Sequence, residues 1–96
     1  MEKSVKVLRG ADMFPLKKGD LAILRHTYTM LHGPYGEFYS VVRVGRGGKK
    51  PREENNAPID TWRVAAVIRP GWKVAGHVFG DTVEEVIRKV WEAREE

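Results

Sequence analysis

Apolar and polar positions alternate along much of this chain, and in one segment the alternation gives way to a helical repeat. Residues 21–30, LAILRHTYTM, are rich in branched and aromatic side chains, apolar on both faces at first and mixed later. That predicts a strand with a central start and an end nearer an edge. Residues 37–44 read as its partner, joined through Gly33-Pro34-Tyr35-Gly36 into a hairpin. Alternation places Phe38, Ser40, Val42 and Val44 on one face, expected to be the core side, and Tyr39, Val41 and Arg43 on the other. Residues 61–69 predict a further long strand, with Trp62, Val64, Ala66 and Ile68 on one side and Arg63 and Arg69 on the other. Shorter β-like runs stand at 5–9 and 72–79, the second following a Pro70-Gly71 turn, with Gly76 expected to mark a bulge.

The helical repeat comes last. Val83, Val86, Ile87, Val90 and Trp91 form an apolar stripe at i, i+3, i+4, i+7 and i+8. Asp81 is expected to cap this helix with Glu84 three residues on, and Glu84/Arg88 and Glu85/Lys89 form i,i+4 pairs. Because three valines and an isoleucine are modest helix formers, the helix, over about 81–94, should be stabilised by packing Trp91 and its neighbours on a sheet. The predicted fold class is α+β: one domain over 1–96, a small antiparallel sheet or half-open barrel of about five strands closed by one C-terminal helix.

Charge adds a direction to this picture. Residues 1–80 hold 14 Lys or Arg against 7 Asp or Glu, whereas 81–96 hold 3 against 6, giving +4 overall. A basic body with an acidic tail favours polyanionic partners. The chain has no cysteine, which removes disulfides, thiolate metal sites and thiol nucleophiles. It has no glutamine and only Asn55 and Asn56, a usage expected of a thermophile. No apolar run approaches the roughly 18 residues of a membrane span, and the first residues lack a secretory apolar core, so a cytoplasmic protein without membrane association is expected.

The basic charge concentrates in residues 45–56, GRGGKKPREENN, within a long loop expected over about 45–59. Gly48-Lys49 is followed by Lys50 and Pro51, so there is no Ser or Thr for a P-loop, and Lys50 occupies the place of the last glycine of Gly-x-Gly-x-x-Gly. What remains is a cationic loop in which Arg46, Lys49, Lys50 and Arg52 can neutralise phosphates, aided by Lys17 and Lys18 at the first turn and by Arg43 and Arg63 from the strands. Tyr39 and Arg43, with Tyr28 on the neighbouring strand, suggest a base-stacking sheet face; a helix over that face would make these aromatics core instead.

Catalytic signals are weak. His26, His32 and His77 lack metal-ligand spacing, Ser4 and Ser40 lie in no nucleophile elbow, and Asp12, Asp20, Asp60 and Asp81 sit beside turns or caps, where aspartate has local backbone work. No enzyme, cofactor or metal is expected.

Two short stretches resemble known families. Residues 80–86, GDTVEEV, resemble the Gly-Asp-Thr-x-Glu-Glu-Ala segment that opens the main helix of HicB-like antitoxin domains, departing at Val86. Residues 15–24, PLKKGDLAIL, a turn followed by a strand, are similar to the strand entry of SH3-like barrels common among ribosomal proteins. Neither assigns a family. The leading expectation is a non-catalytic RNA-binding accessory protein, ribosome-associated, which grips phosphates and recognises shape. The alternative is an antitoxin-like protein-interaction or oligomerising module, such as a homodimer, with no nucleic-acid binding of its own.

Overall fold

The computed structural model describes residues 5–33, 35–69, 71–74 and 76–95. Pro34 and Pro70, on which two of the expected turns depend, lie outside these. β1 (Lys6–Leu8), β2 (Leu21–Thr29), β3 (Tyr35–Arg46), β4 (Arg52–Glu53) and β5 (Val64–Arg69) form an antiparallel sheet in the order β1-β5-β2-β3-β4. A two-residue ribbon partner, β6 (Lys73–Val74), pairs with β8 (Arg94–Glu95), and β7 (Phe79–Gly80) adds to β3. Between β7 and β8 lies α1 (Val83–Ala93). The fold is α+β, and the sheet is open, not closed into a barrel.

β2 is central, as its early apolar run predicts, pairing with β3 from Leu21↔Arg43 to Thr29↔Tyr35 and with β5 on its other side. Its first four residues are buried and its last three exposed. Both sheet faces carry a core. Helix α1 covers one, where Val83, Val86 and Val90 pack with Leu21, Ile23, Ala66, Ile68 and Val78. The other face is covered by loop residues Met13, Leu16 and Ile59, against Ala22, Leu24, Val44, Val64 and Val67.

Two-sided cover corrects the expected face assignment. Tyr39 and Val41 lie under the helix, and Tyr28 lies on the opposite face, so these residues do not form one stacking surface. In β5 a bulge intervenes: Ile23 pairs with Ala66 but Leu24 pairs with Val64, leaving Ala65 extra. Val64 therefore turns to the loop-covered face, away from Ala66 and Ile68. Trp62 is not in the strand at all. It sits in a 3₁₀ turn, Thr61–Arg63, 70% exposed.

The helix start is one residue later than the charge pattern implies. Thr82 is the N-cap, its Oγ1 accepting from the Glu85 N–H at 3.1 Å, while Glu85 Oε2 accepts from the Asp81 N–H at 2.9 Å. That backbone N–H, then Lys89, holds the Glu85 carboxyl below its ordinary pKa. Glu85 and Lys89 form the expected pair at 3.1 Å, but Glu84 reaches Arg9 at 3.3 Å and Arg88 reaches Glu92. Trp91 is half-exposed, not packed on the sheet; its ring meets Trp72 edge-on at 5.3 Å and carries the Arg94 guanidinium 3.7 Å above it.

One buried ion pair ties the loops to the sheet. Asp20 is 2% exposed, and Arg69 donates to it twice, from Nε to Oδ1 at 2.9 Å and from Nη2 to Oδ2 at 2.7 Å. The Lys17 N–H also donates to Oδ2 at 2.9 Å, and Arg69 Nη2 reaches the carbonyl of Pro15 at 3.3 Å. The bond to Asp20 raises the Arg69 pKa above its ordinary value. Removing one partner leaves an uncompensated charge, so Asp20→Ala should cost about 3 kcal/mol in urea unfolding, the low end for buried pairs because Arg69 keeps some solvent. A loss within about 0.5 kcal/mol, as for a surface pair, would show that the pair does not hold this end together.

Candidate nucleic-acid interface

The segment from Gly45 to Ile59 is folded back on the protein by its own backbone bonds. The Gly48 N–H donates to the Leu16 carbonyl at 3.0 Å, Glu54 N–H to Arg43 O at 3.0 Å, and Ile59 N–H to Pro51 O at 3.0 Å. Pro51 and Ile59 are buried. Within it Arg52 and Glu53 form β4, and Glu53 and Asn56 close a turn in which the Arg52 Nη1 donates to the Asn56 carbonyl at 2.9 Å. Gly47 allows this docking, because a Cβ there would run into the Leu16 carbonyl. The chain then crosses itself tightly at Leu16 and Gly48, so the Lys17-Lys18-Gly19-Asp20 turn runs beside residues 44–47, including Arg46, and Lys49 and Lys50 follow on the other side of the crossing, towards Pro15.

Five of the eight expected phosphate-binding cations thus meet at one end of the sheet. Lys17, Lys18, Arg46, Lys49 and Lys50 are exposed, and none has a carboxylate partner among the described residues. The acid within that surface, Asp20, is buried and neutralised by Arg69. Arg52 is half-buried and partly engaged with the turn. Arg43 lies on the helix-side face, its Nε 3.7 Å from Glu54 Oε1 and its guanidinium against Gly19 of the Lys17-Lys18-Gly19-Asp20 turn. Arg63 lies 5.1 Å above the Trp62 ring and 3.9 Å from Asp60.

The strand periodicity misses the aromatic part of this end. Phe14, whose peptide to Pro15 is cis, and Trp62 line one open groove of about 790 Å³ with Pro15, Gly48, Lys49 and Thr61. A recess of about 320 Å³ continues from it past Lys49, Lys50, Arg52, Asp60 and Trp62. The signal that could have placed Trp62 in a turn is local: Pro58 and Asp60 precede it, and both favour turns over strand interiors.

A second aromatic group lies on the same sheet face, at the far end of the hairpin. His26 stacks on Phe38 at 4.8 Å and 16°, with Tyr28 and Phe79 flanking Phe38 at 6.2 and 6.4 Å. His77 touches Phe79, so two of the three histidines border this group, while His32 is exposed in the hairpin turn. His26 Nε2 and Ser40 Oγ share a hydrogen bond at 2.7 Å. Among the described residues no three of His, Asp and Glu stand together as metal ligands, and no helix is long and apolar enough to cross a membrane. No protein-family model, curated protein or solved structure matches the chain.

Two consequences are measurable. Gly47→Ala should lower the melting temperature by forcing the Leu16 crossing apart, whereas Gly48→Asn, at a left-handed position with open space around it, should be tolerated far better; equal melting temperatures would show that the crossing is not tight. Burial first, and then Arg63, lowers the His26 pKa below 6.5. The folded state then binds fewer protons than the unfolded one, so this contribution to stability is complete above the unfolded pKa and declines as pH falls through it towards the folded value. Between about pH 7.5 and pH 5.5 the wild type should lose more stability than His26→Gln, and identical pH profiles would rule His26 out as the source.

Proposed function

We propose that this protein is a non-catalytic RNA-binding accessory protein that grips phosphates with the basic end of its sheet. The observation that carries the reading is the convergence of Lys17, Lys18, Arg46, Lys49 and Lys50, exposed and without carboxylate partners among the described residues, on a backbone scaffold that fixes their spacing. Each cation that replaces a counterion on a phosphate adds to affinity and to its salt dependence. Contacts of this kind set position and read shape rather than sequence. The unusual residue usage and the strand start at residues 15–24 fit a ribosome-associated role in a thermophile, and partner RNA of ribosomal origin is the natural first probe.

A second reading, a protein-interaction or oligomerising module, draws on the other end of the hairpin. Tyr28, Met30, Leu31, Tyr35 and Phe79 are all large, apolar and exposed there. That surface lies away from the lysine-bearing loops, so the two readings are separable by where substitutions act.

The test is binding of structured ribosomal RNA to the full chain over a salt series. Replacing Lys17, Lys18, Lys49 and Lys50 by Gln should flatten the slope of log K against log salt by about 0.7–0.9 for each phosphate no longer neutralised, with the melting temperature unchanged. These four are chosen because their side chains hold no part of the fold together, unlike Arg52. Affinity and slope equal to wild type would remove this end from RNA binding; a salt-independent dimer without RNA affinity would favour the second reading.

A further inference from the structure

We propose that the groove between the Phe14-Pro15 turn, the Gly48-Lys49 loop and the Thr61-Trp62 turn holds an unpaired nucleobase stacked on Trp62, which makes single-stranded RNA the preferred ligand. This rests on the phosphate-gripping function above and adds to it the form of RNA recognised.

Trp62 is the most exposed tryptophan of the three, 70% against 52% for Trp91, with Trp72 partly buried. Such a large apolar surface left in water is unfavourable unless something covers it in use. The backbone that carries the ring is ordered. The Thr61–Arg63 turn is closed by the Arg63 N–H donating to the Asp60 carbonyl at 2.9 Å, and the Arg63 guanidinium lies 5.1 Å from the ring centroid and 3.9 Å from Asp60. A ring on an ordered turn leaves less backbone freedom to lose when a second flat group stacks on it. Phe14, 40% exposed, supplies a second aromatic surface in the same groove, whose volume of about 790 Å³ lies within the range of small-molecule sites.

Charge decides the occupant. Lys49 lines the groove itself, and Lys50 and Arg52 line the recess that continues from it; Asp60, the acid in that recess, is already paired with Arg63. A flat apolar surface bordered by cations free of carboxylates suits a base with its phosphates on either side. In a duplex each base face is already stacked on its neighbours, so only an unpaired base can use the ring. Anionic lipid would also favour cations beside aromatics, and a vesicle arm in the test separates that surface from RNA.

The test compares a labelled single-stranded oligouridine with an RNA duplex of equal length, by anisotropy, on the full chain. Trp62→Ala should weaken oligouridine binding by about tenfold, leave duplex binding and the salt slope unchanged, and Trp62→Phe should restore most of the loss. Phe14→Leu should give a smaller loss of the same kind. Oligouridine affinity unchanged in Trp62→Ala, while the four-lysine variant still loses binding, would overturn the stacking groove and leave the phosphate grip standing. Absence of binding to either RNA by the wild type overturns both readings. Binding of anionic vesicles that depends on Trp62, with none of oligouridine, would assign the groove to a membrane surface instead.

Discussion

Asp20 is the buried charge on which the basic end is organised. Its two oxygens are occupied by Arg69 from the end of β5 and by the backbone N–H of Lys17, and its own backbone carbonyl accepts from the Val44 N–H at 2.8 Å. Removing two ions from water is costly, so such a pair adds little net stability over an apolar replacement. What it fixes is position. A carboxylate with these partners can sit in one place only, and residues 13–20 are thereby drawn against the sheet, with the same arginine reaching the Pro15 carbonyl.

From that anchor the remaining geometry follows in steps. Leu16, 1% exposed, is pinned within the loop-covered core, and its carbonyl is presented to the Gly48 N–H. The long basic segment is then fastened at Gly48, again at Glu54 and again at Ile59, so it acts as the cover of a sheet face that would otherwise be wet. An open antiparallel sheet this small has two faces to bury and one helix of 11 residues to do it with. Using the cationic loop for the second face makes it serve two purposes: its apolar residues Pro51 and Ile59 turn inward, while Lys49 and Lys50 stay in water.

Much of this arrangement is legible in the chain, and the misreadings have physical causes. The hairpin and the helix are plain because period-2 and period-3.6 patterns persist over many residues there. Val64 is assigned to the wrong face because a single extra residue, Ala65, shifts the parity before it, and a bulge has no signature in composition; Trp62 is misplaced because the strand starts only after the Thr61–Arg63 turn. The helix cap shifts by one residue because Gly80-Asp81-Thr82 offers two side chains able to cap, and only packing decides between them. The Asp20–Arg69 pair joins residues 49 apart, and Asp20 beside a turn reads locally as a turn residue. Long-range partners of this kind are invisible to any window of sequence.

The placement of charge is consistent with the same logic. Arg9, Arg43, Arg63, Arg88 and Lys89 each meet a carboxylate, and these pairs lie along the helix, the helix-side face and the flank of Trp62. Near the basic end Asp20 is turned inward, and Glu54, within the docked segment, faces Arg43. Cations held close together without counter-charges repel one another, a cost that backbone fastening at Gly48 and Ile59 lets the fold absorb. The same fastening sets Lys49 on the wall of the Trp62 groove and Lys50 and Arg52 along the recess that continues from it, whereas Lys17, Lys18 and Arg46 stand outside both.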